Sequence, residues 1–199
     1  MISAMLLKKL KEYKIILASA SPRRKQFFKE MGMDCTIRPI QLDEVYPDTL
    51  QASQISDYLA KLKADAYTQS LEKNEILVTS DTVVWHNSES LAKPADENEA
   101  FSMLQTLSND QHEVITSVCF TASGKQKIVH HSTKVTFKNL SDDEIWYYIK
   151  NYNPYDKAGG YGIQDWIGLI GITEIQGSYT NVVGLPTQLV YKTLMDMVD

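Results

Sequence analysis

An α/β fold built on a mixed β-sheet is what the sequence predicts, and three observations carry it. Strand-like and helix-like segments alternate along nearly the whole chain, without repeats, low-complexity tracts or a Pro/Gly-rich linker. Two long β-branched runs, HEVITSVCFTA and KIVHHSTKVTF, flank the tight turn Ser123-Gly124 and read as a hairpin, which commits part of the sheet to antiparallel pairing. The 199 residues are 43% hydrophobic and 23% charged, ordinary values for a globular chain. That length suffices for one substantial domain or two small lobes around a shared cleft.

The elements follow in order. Ile15 to Ala18 is a short apolar run that opens the sheet, followed by Ser19-Ala20-Ser21, Pro22 and an amphipathic segment closed by Gly32. Ser21 is a good helix N-cap, Pro22 suits the first helical position, and Gly32 suits the residue just past the end. Cys35-Thr36-Ile37 is a second strand, ended by Pro39. IQLDEVYPDTLQA is polar and turn-like. Ile55, Leu59, Leu62 and Ala66 then recur at helical spacing, predicting a helix over about Gln54–Leu71. EILVTSDTVVWHN is an apolar strand interrupted by Asp81 and closed by a turn at Asn87-Ser88.

Asp96 and Glu99 resemble a capping box before Phe101, Met103, Leu104 and Leu107, hence a further helix ahead of the hairpin. Ser141 and Glu144 form a true capping box, opening a helix through about Lys150. YNPYDKAGGYGIQDWIG reads as a long glycine-rich loop, LIGITEIQGSYTNVVGLP as a last strand with turns, and Pro186 as the start of a terminal helix.

Several residues stand out chemically. A strand that runs into a serine-rich turn and a helix N-terminus makes an anion site from free backbone N–H groups and hydroxyls. Arg23 and Arg24 lie in that first turn, where a cation meets the positive end of the helix dipole, so an anion is expected there. The plainer reading is a well-capped helix with two solvated arginines. Asp81, flanked by Leu77, Val78, Val83 and Val84, is a carboxylate in or beside a buried strand; such a group is normally paired, metal-bound or catalytic. Asp43 and Glu44 are loop acids that, with Asp81, make an oxygen donor set for a hard cation. Lys63, Lys93 and Lys157 are each, taken alone, ordinary surface lysines. KAGGYGIQ permits close backbone approach to a ligand. It has neither the order of a phosphate-binding P-loop nor the context of a dinucleotide fingerprint. His86, His112, His130 and His131 lack metal-ligand spacing, and the neighbours His130 and His131 point to opposite faces of a strand.

Taken together and in this order, the stretches LASASPRR, Asp43-Glu44, YLAKLKADA, SDTVV, LAKP, AFSMLQTLS with HEVITSV, VTFKNLSDDEI, DKAGGYGIQ and GSYTNVVGLP resemble the Maf family of nucleoside triphosphate pyrophosphatases. They span roughly residues 15–190. The resemblance implies an inosine-triphosphatase-like α/β fold, an elongated mixed sheet with two lobes enclosing a central cleft within a single domain over 1–199. It implies hydrolysis of a nucleoside triphosphate to the monophosphate and pyrophosphate with a divalent cation, Mg²⁺ or Mn²⁺, in a cytoplasmic homodimer. Asp81 matches the family's catalytic acid. Arg23, Thr82 and Gln164 match the three specificity positions of the branch acting on dTTP and UTP, and modified pyrimidine nucleotides remain open. The sister branch, acting on 7-methyl-GTP, carries different residues there. A Gln amide supplies both a donor and an acceptor to a uracil or thymine edge. Ser80 and Asp165 depart from the commoner family residues, Asp165 standing where many relatives have Gly.

On this reading Ser19, Ser21, Arg24, Lys63 and Lys93 hold phosphate, and Asp81 with Glu44 holds the metal. A second reading keeps the cleft without turnover, as a nucleotide-sensing or nucleic-acid-binding regulator of cell division. The net charge of −5 argues against a nucleic-acid coat. Cys35 and Cys119 lack paired spacing, so neither a disulfide framework nor a thiolate metal site is expected. Met1 to Tyr13 has no apolar core long enough for a signal peptide, and no segment reads as a membrane span.

Overall fold

The computed structural model describes residues 8–198; the reading of the first residues as lacking a signal peptide falls partly on 1–7, outside the described part. Strand β1 (Lys14–Leu17), helix α1 (Pro22–Glu30) and strand β2 (Cys35–Ile37) form the opening β-α-β unit, with β1 parallel to β2. After a loop comes helix α2 (Ser53–Asp65), then strands β3 (Glu75–His86) and β4 (Glu89–Leu91). Helix α3 (Glu97–Leu107) precedes the long hairpin of β5 (Gln111–Ala122) and β6 (Lys125–Phe137). Helix α4 (Asp142–Tyr152), two single 3₁₀ turns, helix α5 (Trp166–Gly171), strand β7 (Ile172–Gln176) and helices α6 (Tyr179–Val183) and α7 (Thr187–Val198) complete the order.

The seven strands make one sheet in the order β2-β1-β3-β5-β6-β7, with β4 added to β3. β1 runs parallel to both neighbours; every other pairing is antiparallel. The mixed sheet expected from the sequence is present.

Alternation along the strands divides the core. Ile15 and Leu17 of β1 point, with Ile76, Val78, Val118 and Phe120, toward α1 and α7, where Phe28, Val190 and Leu194 are fully buried. Ile16, Leu77 and Cys119 point the other way, onto Ala60 and Ala64 of α2. Both faces of β1 and β3 are therefore covered, which is why their sequences read as continuous apolar runs rather than alternating ones. A further cluster of Leu104, Phe137, Ile145, Tyr148, Ile149 and Ile167 lies among α3, α4 and α5.

Local signals explain most boundaries. Ser21 caps α1 by accepting from the Arg24 backbone N–H, and Pro22 follows at the first helical position. Ser141 and Glu144 make the reciprocal capping box of α4. The Asp96 carboxylate accepts from the N–H groups of Asn98 and Glu99, whereas Glu99 reaches back to the N–H of Ala95 rather than of Asp96. Two expectations are corrected. The helix expected over Gln54–Leu71 ends at Asp65, because Arg38 binds Tyr67 Oη and the Gln69 side chain and holds that segment off the helix. The glycine-rich stretch is not all loop: Trp166–Gly171 is a short helix, admitted because Gly168 lies against the Ile163 carbonyl, where a Cβ would come within 1.9 Å.

Candidate active site

The site begins as an interruption in strand pairing. β5 runs along one edge of β3. On the other edge β1 covers Glu75–Val78 and β4 covers Val84–His86. Between them Thr79–Val83 has no strand neighbour on that side, and a cleft of about 760 Å³ opens there. Its walls come from Ser19–Arg24, from Leu91–Lys93, from the glycine-rich loop at Lys157 and Gln164, and from Val182–Gly184. The cleft thus lies where parallel pairing gives way to antiparallel, at the carboxyl end of β1.

Asp81 sits in the middle of this gap, opposite Ser117 of β5 and 7% exposed. Lys63, in the last turn of α2, bridges two acids: its Nζ lies 2.5 Å from Asp81 Oδ1 and 2.7 Å from Glu44 Oε1. The other Glu44 oxygen, Oε2, accepts from Lys93 Nζ at 3.1 Å. Asp81, Lys63, Glu44 and Lys93 therefore form a line of alternating charge along the cleft floor. Burial raises the Asp81 carboxyl above the usual carboxylate range, against the pull of Lys63 and Arg24. At Glu44 burial pushes the same way, but hydrogen bonds and charge from Lys63 and Lys93 win and hold it below.

The donor set suits a hard divalent ion. Two carboxylates from different segments converge on one cationic point, now held by the Lys63 ammonium, and Mg²⁺ characteristically takes one or two protein carboxylates with phosphate and water. Among the described residues no group of three or more His, Cys, Asp and Glu side chains is arranged to hold a metal alone, so substrate oxygens would complete the shell.

Arg24 is half-buried, and its guanidinium acts as a brace. Nη1 donates to the Ser80 carbonyl at 2.9 Å, standing where a neighbouring strand's N–H would stand; Nε donates to the Gly184 carbonyl at 2.9 Å. Nη2 donates to Thr82 Oγ1 at 3.1 Å. Nη1 also lies 3.4 Å from Ser19 Oγ, which accepts in turn from the Ser21 N–H. Burial lowers the Arg24 pKa, opposed by Asp81. The Thr82 hydroxyl has a settled direction as well. Thr116 Oγ1 donates to the Asn181 carbonyl, so it receives the Thr82 proton across their 2.9 Å contact. Thr82 accordingly offers the cleft a lone pair, not a proton.

Across the cleft, Arg23 Nη1 pairs with Asp156 Oδ2 at 3.1 Å, tying the opening helix to the glycine-rich loop. Gln164 lines the same cleft, exposed, its Nε2 donating to Asp165 Oδ1 at 3.1 Å. The site residues expected from the sequence border this one space, except Asp43, which does not line it although its neighbour Glu44 does. Ser21 and Arg24 differ from expectation in employment: the Ser21 hydroxyl is engaged as a helix cap, and most Arg24 donors point at protein oxygens. Asp156, Tyr148 and Asn181 escaped sequence reasoning. Only position in the glycine-rich and GSYTNVVGLP stretches marks Asp156 and Asn181; nothing in the sequence marks Tyr148.

Comparison with known proteins places the chain in a family. A family model described as Maf-like protein matches residues 14–197. A dTTP/UTP pyrophosphatase of Flavobacterium psychrophilum is 59% identical over 96% of this chain and 98% of its own length. One of Flavobacterium johnsoniae is 56% identical over 98% and 100%, and one of Bacteroides fragilis 46% identical over 96% and 100%. Among solved structures, the Ham1 protein of Staphylococcus aureus shares the fold, with a TM-score of 0.50 and 14% identity over 92% of this chain and 99% of that one. The chain belongs to the Maf-like family.

Proposed function

We infer that this chain is a dTTP/UTP pyrophosphatase, hydrolysing the triphosphate to the nucleoside monophosphate and pyrophosphate. The reading is supported by its dTTP/UTP pyrophosphatase relatives and carried by one structural observation. A buried carboxylate with a raised pKa, Asp81, lies at the open edge of a strand beside Lys63, Glu44 and Lys93, in a cleft of nucleotide size. We propose that the chain works as one Maf-like domain whose two lobes share this cleft.

In this reading the triphosphate lies over the Ser19–Ser21 turn, with Lys63, Lys93 and the Arg24 charge balancing it. Asp81 aligns a water for in-line attack at the α-phosphorus and takes its proton. The new P–O bond forms as the bond to pyrophosphate breaks. Asp81 and Glu44 would hold a divalent cation, Mg²⁺ or Mn²⁺; when bound, such an ion neutralises phosphate charge and lowers the pKa of water. Pyrophosphate is a fair leaving group, so alignment and charge balance supply most of the catalysis. Thr82, with its proton turned away, and Gln164 face the base, and Arg23 borders it. A homodimer in the cytoplasm completes the reading on family resemblance.

A pyrophosphate-release assay with dTTP, UTP, CTP and 7-methyl-GTP tests it. Release from dTTP and UTP, well above CTP and 7-methyl-GTP, is expected. Binding of these nucleotides without release would instead favour the nucleotide-sensing regulator.

A further inference from the structure

We propose that Asp165 is the positioning residue that sets the direction of the Gln164 amide, and through it the preference for a base bearing an N3–H, as uracil and thymine do, over one presenting a bare N3, as cytosine does. The proposal rests on Gln164 facing the base, as argued above, and deepens that reading.

Asp165 occupies the N-cap position of α5, where an aspartate carboxylate ordinarily accepts from the second or third helical N–H. Here it makes no cap hydrogen bond. The carboxylate is turned back instead. Oδ2 accepts from Tyr148 Oη at 2.7 Å, and Oδ1 accepts from Gln164 Nε2 at 3.1 Å. Tyr148 is fully buried in the α3–α4–α5 cluster, and its oxygen accepts from the Gly162 N–H at 3.0 Å, so it is fixed from both sides. Lys157 Nζ, 3.8 Å from Oδ2 and bonded to Asp156, adds positive charge behind the same carboxylate. A cap contact is forgone, and a buried phenol holds the acid in another place.

The consequence follows from donor chemistry. The two ends of a glutamine amide are interchangeable in shape, and a carboxylate can only accept. Beside Asp165 the NH₂ end is therefore the one turned to Oδ1, and Oε1 is the end left for a ligand. An acceptor complements N3–H of uracil or thymine and opposes the lone pair on N3 of cytosine. Gly162 keeps the arrangement possible: a Cβ there would lie 2.5 Å from Gln164 Nε2 and 2.6 Å from Asp165 Oδ2.

The test compares wild type, Asp165→Ala and Tyr148→Phe with two readouts: kcat/KM for UTP against CTP by pyrophosphate release, and Kd for UMP against CMP by calorimetry. Without Asp165 the amide is free to turn over. The UTP/CTP and UMP/CMP preferences should each fall about tenfold or more, mostly through KM. Tyr148→Phe, which keeps the ring and removes the hydroxyl behind Asp165, should shift both ratios the same way by less. An equal loss on uracil and cytosine nucleotides, unchanged ratios in both variants, or a wild type that binds UMP and CMP alike would overturn the proposal. A wild type that releases no pyrophosphate overturns the function above, while the UMP/CMP ratio still decides the role of Asp165.

Discussion

At Asp81 the demands of stability and chemistry oppose each other. Burial raises its pKa more than Lys63 and Arg24 lower it, so between the ordinary carboxylate value and the raised one the folded protein holds a proton that the unfolded chain has released. Its contribution to stability therefore declines as pH rises through that window. Asp81→Asn should melt at or above the wild-type temperature at pH 7, with the difference shrinking toward pH 4, as calorimetric melts at both pH values would register. The same variant should lose about 10²–10⁴-fold of dTTP turnover, the usual worth of a positioned base. An Asn variant that turns over dTTP normally removes Asp81 from that role; one that melts far below wild type at pH 7 shows pairing with Lys63 outweighing burial. Glu44 has the opposite sign: its pKa is held down against burial by Lys63 and Lys93, so its contribution is present at neutral pH and lost on acidification.

At the scale of elements, helix ends were the most legible feature, because a cap is a contact between residues two or three apart. Ser141 Oγ accepts from the Glu144 N–H, and Glu144 returns a carboxylate oxygen to the Ser141 N–H while pairing with Lys138. Ser141→Ala should cost about 1 kcal/mol, a fall of roughly 2–4 °C in melting temperature for a chain of this size, with turnover unchanged because none of the cleft's lining residues belongs to α4. Differential scanning calorimetry beside the release assay checks both halves. The hairpin turn at Ser123-Gly124 was legible for the same reason of proximity: Gly124 adopts φ +77°, which glycine accepts readily. The short helix α5 was hidden because WIGLIG carries two glycines and β-branched residues, a poor helical sequence by propensity. Packing of Ile167 into the α3–α4 cluster overrides that local preference.

For the whole molecule, the chemistry-bearing residues were legible but their meeting was not. Arg23 and Asp156 are 133 positions apart, and Lys63 and Asp81 meet only because α2 lies against β3. Periodicity and caps carry no information about such distant pairings. Nor did the sequence disclose the gap on β3, which exists because β1 stops at Leu17 and β4 begins to pair only at Val84. Asn181 shows how that long-range order is secured. Wholly buried on α6, it donates from Nδ2 to the Val114 carbonyl of β5 and to Thr133 Oγ1 of β6, each at 2.9 Å, and its own carbonyl accepts from Thr116. One side chain thus seats the segment Val182–Gly184, a cleft wall, on the hairpin, and the Gly184 carbonyl in turn receives Arg24. Asn181→Ala would leave the Val114 carbonyl without its side-chain donor and open a small cavity, a loss of about 1–3 kcal/mol for the orphaned group alone. The urea midpoint should fall accordingly. Because that wall carries the brace on Thr82 through Arg24, KM for dTTP should rise along with it. A variant that loses stability at unchanged KM would show the hairpin holding the cleft wall in place without Asn181.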